Sequence, residues 1–364
     1  KLQKSIYGLR QAPRAWYLKL KEVLEEYGLE VSDADPGLYY SNVEGATLFL
    51  LVYVDDILIA GAQKEIDDIM KLLKKRFKLK ELGEAAFFLG MEITRDRQKR
   101  TIRLSQERYA KDILARFNMT DCKTKSVPIQ PGIKVTREGE PPEAPVPYAE
   151  AVGALMYIAV CTRPDLAYAV SLSARYMSAP TKQHWQIVKG IFAYLAGTAK
   201  LGLVYGPEGE LQVYTDADFA GDQDTRRSTG SMVVLNRGGA VCWQSKLMQT
   251  VCLSTTEAEI SAACTAVREA LWLRKLRQVF KWNNAPITIF VDNASAILIS
   301  KNSVESARSK HMDVAVHAVR QRQTMGYVKL TFCPSSENRS DLGSKPLGPM
   351  HFCALRAQLG LSAT

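Results

Sequence analysis

No two cysteines in this 364-residue chain are spaced as Cys-x-x-Cys. The seven that occur, Cys122, Cys161, Cys242, Cys252, Cys264, Cys333 and Cys353, are scattered and odd in number. That pattern excludes a zinc knuckle and a disulfide scaffold and suits a reducing compartment. Long apolar runs are missing too. The stretches at Thr47 to Val54 and Ala151 to Cys161 fall well short of the roughly 20 residues a membrane helix needs. Lys1 to Arg14 shows neither the apolar core of a signal peptide nor a transit pattern, and a start without Met reads as a cut inside a longer polyprotein. No internal repeat is found.

What is present is ordinary globular composition, 46% hydrophobic and 24% charged, enough for two or three domains with their own cores. Lysine and arginine total 48 against 38 acids, a surplus of +10 that favours a polyanionic partner such as nucleic acid.

Three compositions follow one another along the chain. In residues 1–104, Trp16, Leu20, Val23, Leu24 and Tyr27 recur at helical spacing until Gly28 stops the run. Leu38-Tyr39-Tyr40 and Thr47 to Ala60 predict strands around the turn-like Asn42-Val43-Glu44-Gly45. Ile66 to Phe77 predicts a helix and Phe87 to Ile93 a strand. Residues 105–205 read as helical, at Gln106 to Phe117 and from Tyr148 onward, around a connector at 127–147 whose prolines stop any regular element. From 206, strand signals at Leu211 to Tyr214, Ser231 to Asn236 and Ala240 to Trp243 precede a long helix from Thr255 to Phe280. A strand at Ile287 to Val291, a helix at Asp313 to Gln323 and a strand at Tyr327 to Phe332 complete a mixed α/β pattern.

Tyr53-Val54-Asp55-Asp56 sets two adjacent acids within the apolar strands Leu50 to Val54 and Ile57 to Ile59. Burying two like charges there is costly without a cation, so the pair predicts a metal site; the other reading is an exposed hairpin tip. Mg²⁺ takes such oxygen ligands, and two-metal phosphoryl transfer uses them. With Lys4-Ser5-Ile6-Tyr7-Gly8-Leu9-Arg10-Gln11-Ala12-Pro13-Arg14-Ala15-Trp16-Tyr17 before it and Phe88-Leu89-Gly90-Met91-Glu92-Ile93 after it, the segment resembles the YxDD hairpin of copia-type retrotransposon reverse transcriptases. The resemblance continues through Thr162-Arg163-Pro164-Asp165 to Lys345-Pro346-Leu347. It implies a truncated reverse-transcriptase palm at 1–104, a helical thumb or connection at 105–205 and a ribonuclease H-like domain with a five-stranded mixed sheet at 206–364.

It further implies that Asp55 and Asp56 are polymerase metal ligands, that Gly8, Arg10, Gln11 and Pro13 lie under template and nucleotide, and that Phe88, Leu89 and Gly90 form a primer grip. Reverse transcriptases carry another metal-binding aspartate, and their fingers, upstream of the motif that opens this chain. Neither occurs in these residues, so the chain by itself is expected not to polymerise DNA unless an upstream piece restores it.

In the last third, Asp216, Asp292 and Asp341 follow a strand, a strand and a turn, and Glu257 and Glu259 open the long helix. Ser254-Thr255-Thr256-Glu257 fits a capping box, which gives Glu257 a structural task. Glu259 precedes Ile260, Ala262, Ala263 and Ala266, a small, apolar face able to pack on a sheet, and is the favoured ligand. Asp218 is the alternative to Asp216. Tyr214-Thr215-Asp216-Ala217-Asp218, Ala258-Glu259-Ile260, Val291-Asp292-Asn293 and Ser340-Asp341-Leu342 resemble, in order, the four-carboxylate site of ribonuclease H. The resemblance implies two Mg²⁺ or Mn²⁺ ions per site, with Asp216 bridging both, and hydrolysis of RNA in an RNA:DNA hybrid. Ser340 and Ser344-Lys345 stand where the family usually has alanine and threonine-lysine.

Lys310-His311-Met312-Asp313 matches a family motif without a derived role; His311, with Asp313, is an accessory candidate, though a surface or capping histidine is the plainer reading. Lys71, Lys74, Lys75, Arg76, Lys78 and Lys80, then Arg95 to Arg103, form basic runs that either face solvent or contact phosphates. The implied partners are an RNA:DNA hybrid or template-primer duplex and the rest of the Pol polyprotein, with no membrane, in a cytoplasmic virus-like particle or the nucleus. The other reading is a catalytically silent, nucleic-acid-binding remnant.

Overall fold

In the computed structural model, which describes residues 8–42, 48–301 and 313–363, the chain divides into two compact units: Lys1–Phe88 with Trp272–Asn284, and Leu89–Leu271 with Ala285–Thr364.

The first unit runs α1 (Ala12–Glu26), β1 (Leu29–Val31), β2 (Leu38–Ser41), β3 (Phe49–Tyr53), β4 (Asp56–Ala60), α2 (Gln63–Arg76) and β5 (Phe87–Phe88). Strands β1 to β4 form an antiparallel sheet in chain order. Leu20, Val23 and Leu24 share one face of α1 because they sit three and four apart. They pack with Tyr39 and Leu50 of the sheet and Ile69 and Leu73 of α2. Gly28, at φ 94°, adopts the left-handed conformation that turns the chain out of α1. Val43 to Gly45, the expected turn tip, lies outside the described residues.

The second unit begins with β6 (Met91–Asp96), β7 (Thr101–Ser105), α3 (Glu107–Arg116), α4 (Tyr148–Cys161), α5 (Ala167–Ala174), α6 (Lys182–Thr198) and β8 (Gly202–Tyr205). Then come β9 (Gln212–Ala217), β10 (Thr229–Asn236), β11 (Gly239–Leu247), α7 (Thr255–Val279), β12 (Ile287–Val291) and α8 (Ala294–Lys301). The chain continues with α9 (Asp313–Thr324), β13 (Val328–Phe332), α10 (Asp341–Ser344), α11 (Pro349–Gln358) and β14 (Leu361–Ser362). The sheet that matters for function has the order β11-β10-β9-β12-β13. Its first three strands are antiparallel, while β9, β12 and β13 are parallel, with Tyr214 beside Phe290. The expected mixed five-stranded sheet is therefore present.

Two expectations are corrected. The strand at Phe87 to Ile93 breaks because Leu89 (φ 48°) and Gly90 (φ 73°) are both left-handed, a conformation that no strand accommodates. Residues 105–205 are not wholly helical, since β8 pairs with β7 and with β14. Positions 104 and 205 both lie within the second unit. Leu155, Ile158 and Phe192 of the helices share a single buried core with Val233, Leu235 and Ala240 of the sheet and Leu355 of α11. Apolar burial at about 25 cal/mol per Å² joins what composition separates. Among the described residues no helix is long and apolar enough to cross a membrane.

Candidate metal centre

The parallel pair β9 and β12 brings two strand ends to one edge of the sheet. Asp216 lies near the end of β9 and Asp292 directly follows β12. Asp341 arrives from the far side of the chain as the first residue of α10. Its approach is fixed by Asn338, whose Nδ2 donates to the Thr215 carbonyl (3.0 Å) while its Oδ1 accepts from the Ser340 N–H (3.2 Å). One carboxylate oxygen from each of Asp216, Asp292 and Asp341 lies within 4.8 Å of the others.

Glu259 stands beside this trio. It sits near the start of α7, where Ala258, Ala262, Ala263 and Ala266 are buried and let the helix lie close to its neighbours. Its Oε1 accepts the Ala217 N–H (3.3 Å), and the side chain is buried. Glu257 does the work expected of a capping box: its N–H donates to Ser254 Oγ (3.1 Å) and its carboxylate accepts from the Leu253 N–H. Asp218 turns elsewhere, accepting from the Thr229 N–H, and burial is the main cause of its rise to about 6.

The electrostatics are those of acids crowded without a cation. Burial first, then Asp216 and Asp292, pushes Glu259 up to about 9. Burial, then Asp216, pushes Asp341 up to about 7. Asp292 is also raised, chiefly by burial, although Ser335 Oγ donates to its Oδ2 (2.7 Å). Glu259 Oε2 and Asp341 Oδ1 are buried with no hydrogen-bond partner. Orphaned oxygens within an all-carboxylate set fit a hard divalent cation such as Mg²⁺ or Mn²⁺.

Four contributors carry no role in the sequence reading. Ser344 donates its hydroxyl to Asp216, and Lys345 Nζ lies 3.5 Å from Asp216 Oδ2 and 3.0 Å from Asp341 Oδ2. Ser335 and Asn338 hold Asp292 and the approach to Asp341. The available signal was spacing: Lys345 is four residues beyond Asp341 across a helical turn, where opposite charges meet.

The first unit places its candidates differently. Asp55 lies in the exposed two-residue turn Val54-Asp55 between β3 and β4, and Asp56, also exposed, opens β4; Val54 is at φ 54° and its carbonyl accepts from Trp16 Nε1 (2.7 Å). The burial argument for a metal there is therefore overturned, because the charges remain in water. Among the described residues, neither acid belongs to a group of three potential metal ligands.

Gly8 is exposed at φ 95°, Arg10 and Gln11 are exposed, and Pro13 lies in the first turn of α1. Phe88 is half-buried, and Leu89 O accepts from Tyr157 Oη (3.0 Å). Lys71 pairs with Asp68 (3.3 Å), Lys74 with Glu81 (2.5 Å) and Arg76 with Glu26 (2.9 Å), so acids already engage part of that basic run, while Lys75 is exposed. His311 and the Asp313 side chain lie outside the described residues.

A sheet of three antiparallel and two parallel strands, with acids at the ends of β9 and β12, defines a ribonuclease H-like fold. Residues 1–131 match the family described as reverse transcriptase (RNA-dependent DNA polymerase). The chain is 42% identical over 357 residues to a retrovirus-related Pol polyprotein from transposon TNT 1-94 of Nicotiana tabacum, covering 95% of this chain and 27% of that protein. It is 31% identical over 269 residues to a putative transposon Ty5-1 protein of Saccharomyces cerevisiae, covering 72% of this chain and 87% of that one. The N-terminal RNase H domain of a Mycobacterium tuberculosis protein aligns at TM-score 0.27 and 11% identity, over 40% of this chain and 96% of that one. The chain belongs to the copia-type retrotransposon Pol polyprotein family. It spans about a quarter of the length of the Pol polyproteins it matches most extensively.

Proposed function

We propose that this chain, as part of a Pol polyprotein, is a divalent-metal-dependent endonuclease that cuts the RNA strand of an RNA:DNA hybrid. In this reading Asp216, Glu259, Asp292 and Asp341 hold the metal. The observation that carries it is the convergence of Asp216, Asp292 and Asp341 to within 4.8 Å, with a buried, orphaned Glu259 oxygen alongside.

Two bound Mg²⁺ or Mn²⁺ ions would supply an activated water and stabilise the leaving 3′ oxygen. The protein's own part is positioning. Ser344 orients Asp216, Ser335 orients Asp292, and the Ala217 N–H fixes one Glu259 oxygen so that the other faces a ligand. The net charge of +10 suits a polyanionic duplex held through its phosphates without sequence preference.

Primer extension belongs to the family; this polypeptide alone is proposed to lack it, because the exposed Asp55 and Asp56 gather no third acid among the described residues. A gel assay on a labelled hybrid tests the nuclease. Cleavage in Mg²⁺ that stops in EDTA and in Asp216→Asn supports it. A folded, hybrid-binding protein that never cuts identifies a silent remnant instead. Primer extension by the isolated chain, abolished by Asp55→Asn, would refute the polymerase statement.

A further inference from the structure

Lys345 places its ammonium between two of the acids that define the centre. Its Nζ is 3.0 Å from Asp341 Oδ2 and 3.5 Å from Asp216 Oδ2. Those two carboxylates belong to the trio with oxygens within 4.8 Å of one another, so a cation held by that trio and the Lys345 ammonium compete for the same two carboxylate groups. The side chain is 38% exposed while both carboxylates are buried. A four-carbon stem open to solvent on one side can leave the site without unfolding anything.

We propose that Lys345 is a built-in counter-cation, which neutralises Asp216 and Asp341 when metal is absent and is displaced when a divalent ion binds. The inference rests on the metal-site reading above and adds what the protein does before metal arrives.

The physical case is a balance of charge. Four acids packed at one sheet edge repel one another, and an isolated buried carboxylate is costly. One ammonium at hydrogen-bond distance offsets part of that repulsion. Ser344 and Ser335 donate single neutral hydrogen bonds, which do less. Burial opposes the charge of Lys345, yet Asp216 and Asp341 outweigh it and hold its pKa above the usual lysine value. Metal must therefore replace an interaction already present, which weakens its apparent affinity. The same competition limits how far the centre loads at low metal concentration.

The test uses the 364-residue chain, with Mn²⁺ alone as the probe in a binding titration and Lys345 reactivity followed by mass spectrometry. Adding Mn²⁺ to the wild-type chain should raise labelling of Lys345 by an amine-reactive reagent several-fold. Lys345→Met should bind Mn²⁺ about tenfold more tightly and melt at lower temperature in EDTA, while Lys345→Arg should behave as wild type in both. A Lys345→Met chain that folds only with Mn²⁺ present would be the strongest form of the expected result. Unchanged or reduced labelling on adding metal, or Mn²⁺ affinity in Lys345→Met equal to or weaker than wild type, overturns the proposal. Failure of the wild-type chain to bind Mn²⁺ at all would instead defeat the metal-site reading, so the two failures are told apart.

Discussion

Arg163 and Asp165, either side of Pro164, close a two-pronged ion pair at 2.9 and 2.8 Å, with both side chains shut away from solvent. Thr198 accepts two further guanidinium hydrogen bonds through its carbonyl and hydroxyl oxygens. Tyr194 donates its hydroxyl to Asp165 (2.5 Å) and accepts from Arg356 (3.0 Å). The Thr162-Arg163-Pro164-Asp165 segment thus ties α4, α6 and α11 together inside the shared core. Arg163→Met leaves Asp165 buried and uncompensated, and denaturant titration should show a loss of about 3–5 kcal/mol. Adding Asp165→Leu should recover part of that loss.

Removal of one acid from the crowded centre separates chemistry from stability. Asp216→Asn should reduce hybrid cleavage to background. Because Asp216 raises the pKa values of Glu259, Asp341 and Asp292, the same change should raise the melting temperature in EDTA. Thermal melts beside the cleavage assay check both.

The metal-free protein should lose stability as pH rises. Glu259 and Asp341 are raised above their unfolded values, so the native state binds more protons than the unfolded state between about pH 4 and pH 9. Their charging opposes folding: the penalty is absent below that window and full above it. Lys345, whose pKa is raised as well, acts in the same direction, but its stabilisation is lost only where lysine titrates, above that range. Melts in EDTA across pH 5 to about 9 should fall steadily, and saturating Mg²⁺ should flatten the trend.

Gly90 admits no side chain. It is left-handed at φ 73°, and a Cβ there would meet Tyr157 Oη at 1.9 Å, the hydroxyl that donates to Leu89 O. Gly90→Ala should cost about 2 kcal/mol or more from strain and the displaced ring. Tyr157→Phe in the same background should restore part of it, leaving the backbone cost.

The exposed hairpin should be indifferent to charge removal. Asp55→Asn and Asp56→Asn should each change stability by less than about 0.5 kcal/mol, as surface substitutions do. A large stabilisation would mean that the two charges repel in a buried setting after all.

The five-stranded mixed sheet was legible because its strands carry β-branched and aromatic runs of ordinary length between recognisable turns. The capping contact of Glu257 followed from capping chemistry, and the burial of Glu259 beside Ala217 from the small-residue face of α7. The burial expected of Asp55-Asp56 differs for a physical reason: the two-residue turn Val54-Asp55 lifts Asp55 out of the apolar strand pair and leaves Asp56 exposed at its mouth, and alternation alone does not mark where the turn falls. The break at Leu89-Gly90 was hidden because Leu89 adopts a left-handed backbone that its residue type does not announce. Lys345 and Asn338 could be placed only by tertiary packing, which brings α10 beneath β9 from more than a hundred residues away. Composition also changes at 206, yet one buried core, from Ala110 to Leu361, runs across that position.

Leu361 and Ser362 pair with Leu203 and Gly202, and α11 inserts Phe352 and Leu355 among residues of the preceding helices. The last third therefore has no clean seam along which it could be excised. A fragment starting at 206 would bare the greasy undersides of its sheet and last helix, and it should clump. In an inherited element, mutations that spoil the middle helices would scatter the acidic cluster as surely as the loss of one of its acids.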